Sequence, residues 1–270
     1  MLGDPMDFIE QLGITPAYAV SGLLVGILVG LTGVGGGSLM TPILVLLFGF
    51  HPTTAVGTDL LFAAATKTVG TTIHSAGKTV DWMIVRRLAT GSVPATILCL
   101  LLIAHLGAAS KSVTSLISLT LGIALILSAI MLLFKDIIVR QIARRFPDAG
   151  SNSPAWVTIL VGFILGALVS LSSVGAGALG TVALVILYPR LPIVRIVGSD
   201  IAHAVPLTLL AGLGHWYLGT INFHLLESLL VGSIPGIIAG SYLARYAPDR
   251  VLKMCLGAIL AVVGTKMLHK

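Results

Sequence analysis

Read for its apolar and polar positions, the chain is a series of long greasy stretches divided by short polar ones. The stretches run 17–48, 54–76, 83–105, 111–134, 155–187, 195–218, 224–244 and 248–268. About 20 apolar residues cross a hydrocarbon layer as a helix, so most of these stretches predict one transmembrane helix each. Two are too long for a single helix, and both are interrupted by small residues near the middle. The first carries Gly33, Gly35, Gly36 and Gly37, the second Ser173, Gly175, Ala176 and Gly177. A polar segment from Lys135 to Ser153 separates the eight stretches into two groups of four.

The two groups repeat one another. At an offset of 140, Gly22, Gly26, Val34, Gly35, Gly37, Leu39 and Thr41 fall on Gly162, Gly166, Val174, Gly175, Gly177, Leu179 and Thr181. One residue later, at an offset of 141, Gly57-Thr58-Asp59 falls on Gly198-Ser199-Asp200, His74 on His215, and Gly91-Ser92 with Pro94 on Gly232-Ser233 with Pro235. Chance would match Leu and Val in apolar sequence, but not Gly, Asp, His and Pro in order, so the chain is a duplication. The expected organisation is an N-terminal segment over 1–16, a first transmembrane repeat over 17–134, a cytoplasmic linker over 135–154 and a second repeat over 155–270.

Composition confirms the solvent. Of 270 residues, 56% are hydrophobic and 10% charged, where a soluble domain carries roughly 25% charged residues. The formal charge of +6 resembles a nucleic-acid signature, but the basic residues lie in short loops and read as topology signals, so no nucleic-acid partner is expected. If each over-long stretch is a hairpin or re-entrant pair, the 16 basic residues divide 12 inside to 3 outside, with Lys67 inside the membrane. If each is a single crossing, the division is 9 to 6. The first arrangement obeys the positive-inside rule better. It predicts an all-α polytopic protein of the cell inner membrane with both termini outside. Its two inverted-topology repeats hold about four apolar spans each, and the first span of each is a Gly-broken or re-entrant hairpin.

Such breaks at matching places point to a transporter's central site. Irregular backbone at membrane depth must line protein or a watery cavity, and helix N-termini exposed there attract anions. Gly35, Gly36, Gly37, Gly175, Ala176 and Gly177 are therefore candidate substrate contacts, the alternative being that they only permit close helix packing. Gly22, Gly26 and Gly30 form a separate small-residue packing face. Ionisable residues inside spans supply the second signal, because at this depth they need a cavity or a partner. Asp59, Lys67 and His74 share one stripe of the second span, and Asp200, His203 and His215 the equivalent stripe of its copy. The two aspartates are candidate proton carriers or, alternatively, helix N-caps near the surface. His74 and His215 lie near the far helix ends, in an interfacial or a relay position. No histidine pair has metal-ligand spacing, no nucleotide-binding or hydrolase motif occurs, and no cofactor or catalytic residue is expected.

The glycine-rich run from Gly26 through Gly30, Gly33, Gly35, Gly36 and Gly37 to Thr41-Pro42, followed by Ala55-Val56-Gly57-Thr58, resembles the sulfite exporter TauE/SafE family of membrane permeases. The resemblance extends over both halves. It implies a bundle of two related halves that moves sulfite, sulfonates or related sulfur anions. Two carboxylates beside an anion site repel the cargo unless protonated or paired, which makes proton coupling attractive and Lys67 a candidate counter-charge. The expected activity is therefore proton-linked secondary transport of a small sulfur-containing anion, with export as the direction. The oxyanion would meet the glycine segments, Thr58, Ser199 and Lys67, while Asp59, Asp200, His74, His203 and His215 carry protons. The alternatives are a passive anion channel and a sodium- or other cation-coupled transporter in which Asp59 and Asp200 bind the ion. The lipid bilayer and the anion are the expected partners. The oligomeric state stays open, a homodimer included.

Overall fold

Both over-long stretches break where the glycines fall. In the computed structural model, which describes residues 14–32, 37–74, 80–145, 154–175, 177–243 and 249–268, the first stretch becomes α1 (Pro16–Thr32) and α2 (Gly37–Leu46). The second becomes α6 (Ala155–Ser172) and α7 (Ala178–Leu187). The remaining stretches are α3 (Pro52–His74), α4 (Trp82–Leu106) and α5 (Lys111–Arg145), then α8 (Ile193–Tyr217), α9 (Phe223–Leu243) and α10 (Asp249–Leu268). All described elements are helices, and five of them are long and apolar enough to cross a membrane.

The second break shows the cause. Ser173 adopts the left-handed conformation at φ 58°, its N–H bonding back to the Val169 carbonyl at 2.8 Å. Gly175 and Gly177 follow at φ 125°, a region a side chain strongly disfavours. Gly33, Gly35 and Gly36 of the first break, and Ala176 of the second, lie outside the described residues.

Each broken stretch turns back to the side it came from. Tyr18 at the start of α1 meets Phe48 and Phe50, just past α2, with ring centroids 5.0 and 5.8 Å apart. Thr158 in the first turn of α6 meets the hydroxyl of Tyr188, just past α7, at 2.7 Å. At 1.5 Å per residue, the 10-residue helices α2 and α7 are only about 15 Å long, half the thickness of a hydrocarbon core.

The hairpin of each half packs on the other half. α1 lies along α9, and α6 along α4. A Cβ on Gly22 would stand 2.2 Å from the Leu229 carbonyl oxygen, and one on Gly162 would stand 2.2 Å from that of Leu88. One turn on, Gly26 meets Ser233 and Gly166 meets Ser92, in both cases with 2.5 Å left for a Cβ. Gly232 and Gly91 return the contact at 1.8 and 1.9 Å, against the carbonyls of Ala19 and Ile159. These backbones touch, and only glycine permits it. The small-residue packing face predicted at Gly22, Gly26 and Gly30 is thus one strand of two equivalent zips.

Helices that correspond between the halves run antiparallel where they meet. On α3 and α8, Gly57 packs on His215 while Leu61 packs on Gly212. On α5 and α10, Gly122 meets Leu268 while Leu133 meets Gly257. Polarity is distributed inside out. Leu98, Leu101, Leu119 and Val262 face outward, whereas Thr58, Asp59, Ser92, Ser199, Asp200 and His203 are buried. Trp82, Trp156, Trp216 and Tyr217 sit exposed at helix ends, as interfacial anchors do.

Helix bounds sharpen the sequence reading in two places. Residues 135–145, read as linker from their charge, continue α5 as helix to Arg145; Ile, Gln, Arg and Lys are adequate helix formers, and charge alone does not end a helix. Asp59 and Asp200 are not helix N-caps, because α3 begins at Pro52 and α8 at Ile193, two turns earlier.

Candidate functional site

Asp59 lies on α3 and Asp200 on α8, two helices that pack against each other, and each holds the short helix of its own half. The N–H of Thr41 on α2 donates to Asp59 Oδ2 at 3.1 Å, and the Thr41 hydroxyl donates to the same oxygen. The Thr181 hydroxyl on α7 donates to Asp200 Oδ2 at 2.8 Å. Both carboxylates are buried, at 0 and 1% exposure, so these hydrogen bonds work in a medium of low dielectric constant. Asp200 also presses on the first turn of α7: a Cβ on Gly180 would come within 2.0 Å of Asp200 Oδ1.

Lys67, two turns beyond Asp59 on α3, lies within electrostatic reach of both carboxylates. His203 on α8 feels the same ammonium group, and its Nε2 lies 2.8 Å from Ser92 Oγ on α4. Ser173, the left-handed residue of the second break, stands next to Asp59. Asp59 Oδ1 and Ser173 Oγ are buried, and neither completes a well-shaped hydrogen bond with a described residue. Asp59, Lys67, Asp200, His203 and Ser173 therefore form one polar cluster inside an apolar bundle, beside the start of α7.

The other predicted residues are placed elsewhere. The Thr58 hydroxyl accepts the N–H of Asn222 at 3.1 Å, and the Ser199 hydroxyl accepts the N–H of Asp81 at 2.8 Å. Each ties its helix to a loop of the opposite half. Asp81 in turn caps α4 by accepting from the N–H groups of Met83 and Ile84, and Asn222 accepts from Leu225 in the same way. His215 is fully buried at the end of α8. Its Nε2–H donates to the Ser170 carbonyl at 3.1 Å and its Nδ1 lies 3.0 Å from Thr220 Oγ1. His74 ends α3, its side chain outside the described residues; Gly37 opens α2 and Gly177 caps α7.

Thr41, Thr181 and Ser173 were not among the sequence candidates. The signal for the first two existed: Thr41 falls on Thr181 in the repeat register, as Asp59 falls on Asp200. What the register could not say is that the hairpins fold these hydroxyls back onto the carboxylates. No group of three or more His, Cys, Asp or Glu suited to a metal ion occurs among the described residues.

The sequence profile of the sulfite exporter TauE/SafE family matches residues 18–267. The chain belongs to that family. It is accordingly a polytopic membrane protein of a transporter family, not of an enzyme family. A probable membrane transporter protein of Bacillus subtilis (strain 168), YjnA, is 37% identical over 248 residues, covering 92% of this chain and 97% of the relative. A second from the same organism, YdhB, is 28% identical over 251 residues, covering 91% and 96%. A third, YunE, is 36% identical over 90 residues, about a third of each chain at 33% and 32%. No solved structure matches significantly. The TauE/SafE match spans both glycine breaks and both aspartates, so the buried cluster lies within the matched region.

Proposed function

We propose that this TauE/SafE protein exports a small sulfur-containing anion, sulfite or an organosulfonate, in a proton-linked cycle in which two inverted repeats alternate access. The observation that carries the reading is the cluster itself: one ammonium group within electrostatic reach of two buried carboxylates, each bonded to a short helix that begins at a glycine break. In this reading the anion occupies the first turns of α2 and α7 around Gly35 to Gly37 and Gly175 to Gly177, where N–H groups and the helix dipole favour negative charge. Lys67 supplies the counter-charge. Asp59 and Asp200 compete with the anion for the same positive ends, so an anion enters more readily once a carboxylate has taken up a proton. Protonation also weakens the Thr41 and Thr181 bonds, which couples proton arrival to movement of the short helices. His203 bonds Ser92 on α4 and extends the polar path from the cluster. In this reading Thr58, Ser199 and His215 contribute through the loops and helices they hold in place, and His74 stands at the far end of α3.

The inverted arrangement is supported by the antiparallel meeting of α3 with α8 and of α5 with α10, and by hairpins that return to their own side. Arg86, Arg87 and Arg195 then lie on the side of the membrane where α5 ends; in this reading the positive-inside rule assigns that side to the cytoplasm and puts the termini outside, in the cell inner membrane.

The test is sulfite and methanesulfonate flux in proteoliposomes under imposed pH gradients. Saturable flux driven by the proton gradient, reduced at least tenfold in both Asp59→Asn and Asp200→Asn, is the expected result. Gradient-independent, non-saturating flux in the wild type would establish a passive channel instead. Flux driven by a sodium gradient and unaffected by sulfur anions would assign the carboxylates to a cation.

A further inference from the structure

The two short helices differ in what lies behind them. α7 packs closely on α5, whereas α2 meets its counterpart neighbour α10 at few points. Between α2 and α10 this leaves a cleft of about 330 Å³. Leu39, Pro42 and Leu46 form one wall and Ile259 and Val263 the other, with Lys266 at its end. No acidic residue is among the described residues that line it. It opens outward: Leu47 is 73% exposed, Val262 58% and Ile259 46%. Lys266 is exposed in the last turn of α10.

Dimensions narrow the occupant. Ile259 and Lys266 are seven residues apart, about 10 Å along the helix. At about 330 Å³ over that length the groove averages about 33 Å² in cross-section, too small for a second helix, whose diameter is about 10 Å or more with side chains. An extended hydrocarbon chain fits. Lys266 stands at the mouth, where a lysine reaches the headgroup level by extending its apolar stem. We propose that this cleft is a specific site for one phospholipid with a net-negative headgroup. One acyl chain lies between α2 and α10, and the headgroup pairs with Lys266. A zwitterionic headgroup would bring its own ammonium group to the same lysine and is disfavoured. The bound chain lies against Leu39 and Pro42, which flank Met40 and the Thr41 that donates to Asp59, so it braces the short helix of the first half. This proposal does not depend on the cargo or on coupling.

Native mass spectrometry of the detergent-purified full chain, equilibrated with mixed phosphatidylglycerol and phosphatidylcholine, tests it. One tightly retained phosphatidylglycerol per chain is expected, in at least fivefold preference over phosphatidylcholine. Ile259→Trp, which fills the groove from an exposed position, should lose the retained lipid. Lys266→Glu should abolish the headgroup preference and Lys266→Arg should keep it. Phosphatidylglycerol should raise the Tm of the wild type but not of Ile259→Trp. Equal retention of both lipids by the wild type, or unchanged retention in Ile259→Trp and Lys266→Glu, would reduce the cleft to ordinary annular contact and overturn the proposal. So would a lipid-free dimer that dissociates in Ile259→Trp, because the occupant would then be a second copy.

Discussion

The two halves of the molecule agree where backbones touch and disagree around their buried carboxylates. Gly22 and Gly162, Gly26 and Gly166, and Gly91 and Gly232 face equivalent partners at nearly equal spacing. Asp59 and Asp200, with Thr41 and Thr181, also correspond. Around those carboxylates the correspondence ends. Lys67 stands where the second half has Thr208, Phe62 where it has His203, and Met40 where it has Gly180. The Thr208 hydroxyl bonds its own helix at the Ala204 carbonyl, and Phe62 is buried among apolar residues. Helix contact is a requirement both halves share, so duplication preserved it. In the proposed transport cycle a single cargo lying between them needs one arrangement of charge, and a second ammonium or a second imidazole would alter it.

The strongest way to break this comparison is to attack the shared zip. Gly91→Leu and Gly232→Leu place a side chain where a Cβ alone would stand 1.9 and 1.8 Å from a carbonyl oxygen. Overpacking of flexible cores costs about 1–3 kcal/mol, and a rigid backbone cannot yield, so about 3 kcal/mol or more is expected. That is a large part of a stability of about 5–15 kcal/mol. Both variants should lose monodispersity in size-exclusion chromatography to the same extent. A large loss in one and none in the other would end the equivalence of the halves.

Next in size is the asymmetric charge. Lys67→Thr gives the first half the residue of the second and leaves the two buried carboxylates without the ammonium group that both of them feel. Anion flux should fall at least tenfold, about 1.4 kcal/mol of barrier. The double variant Lys67→Thr/Thr208→Lys moves the charge to the equivalent place, and partial recovery of flux is expected if the cluster needs one cation rather than that particular helix. Full activity in Lys67→Thr alone would remove the lysine from the transport reading.

These contrasts also mark what the sequence could reveal. The breaks and the zips were legible because few residues other than glycine adopt φ 125°, as at Gly175, or let two helices touch, as at Gly22. The duplication was legible because Gly, Asp and Pro recur in register. The depth of Asp59 was open to misreading, since a carboxylate near the start of an apolar run resembles a cap until the helix is seen to begin at Pro52. The donors to the carboxylates were hidden for a different reason. Thr41 is 18 residues from Asp59, and only the hairpin's return brings them together. The hydroxyls of Thr58 and Ser199 were read toward the cargo, while their bonds to Asn222 and Asp81 depend on how one half's loop lies over the other. The cleft between α2 and α10 was invisible to pattern altogether, because it arises from a difference in packing between equivalent helices.

The loop staples offer a smaller effect. Thr58→Val and Ser199→Ala each remove the acceptor of a backbone N–H from the opposite half. A donor left without a partner costs about 1–3 kcal/mol, and both loops are partly solvated, so about 1 kcal/mol is expected for each. Equal decreases in Tm by scanning fluorimetry would show that the two staples are equivalent, and a tenfold loss of flux at unchanged Tm would show that a hydroxyl also meets the cargo.

The smallest effect should come from Asp81→Asn, which gives the first half the residue that the second carries at Asn222. Asp81 has three tasks: its N–H bonds Ser199, its side chain caps α4, and its carboxylate faces Arg195 at 3.7 Å. The first belongs to the backbone and survives any substitution but proline. Asparagine caps a helix about as well as aspartate, so the second survives as well. Only the ion pair is lost, and Arg195 is 46% exposed, which leaves water and salt to screen most of its value. A change below about 0.5 kcal/mol follows, against about 1 kcal/mol for Asp81→Ala, which loses the cap too. Chemical denaturation of the two variants in the same detergent separates these values. A drop in Asp81→Asn as large as in Asp81→Ala would show that the charge, rather than the cap, holds the two halves together at this face, and that the loops are not equivalent after all.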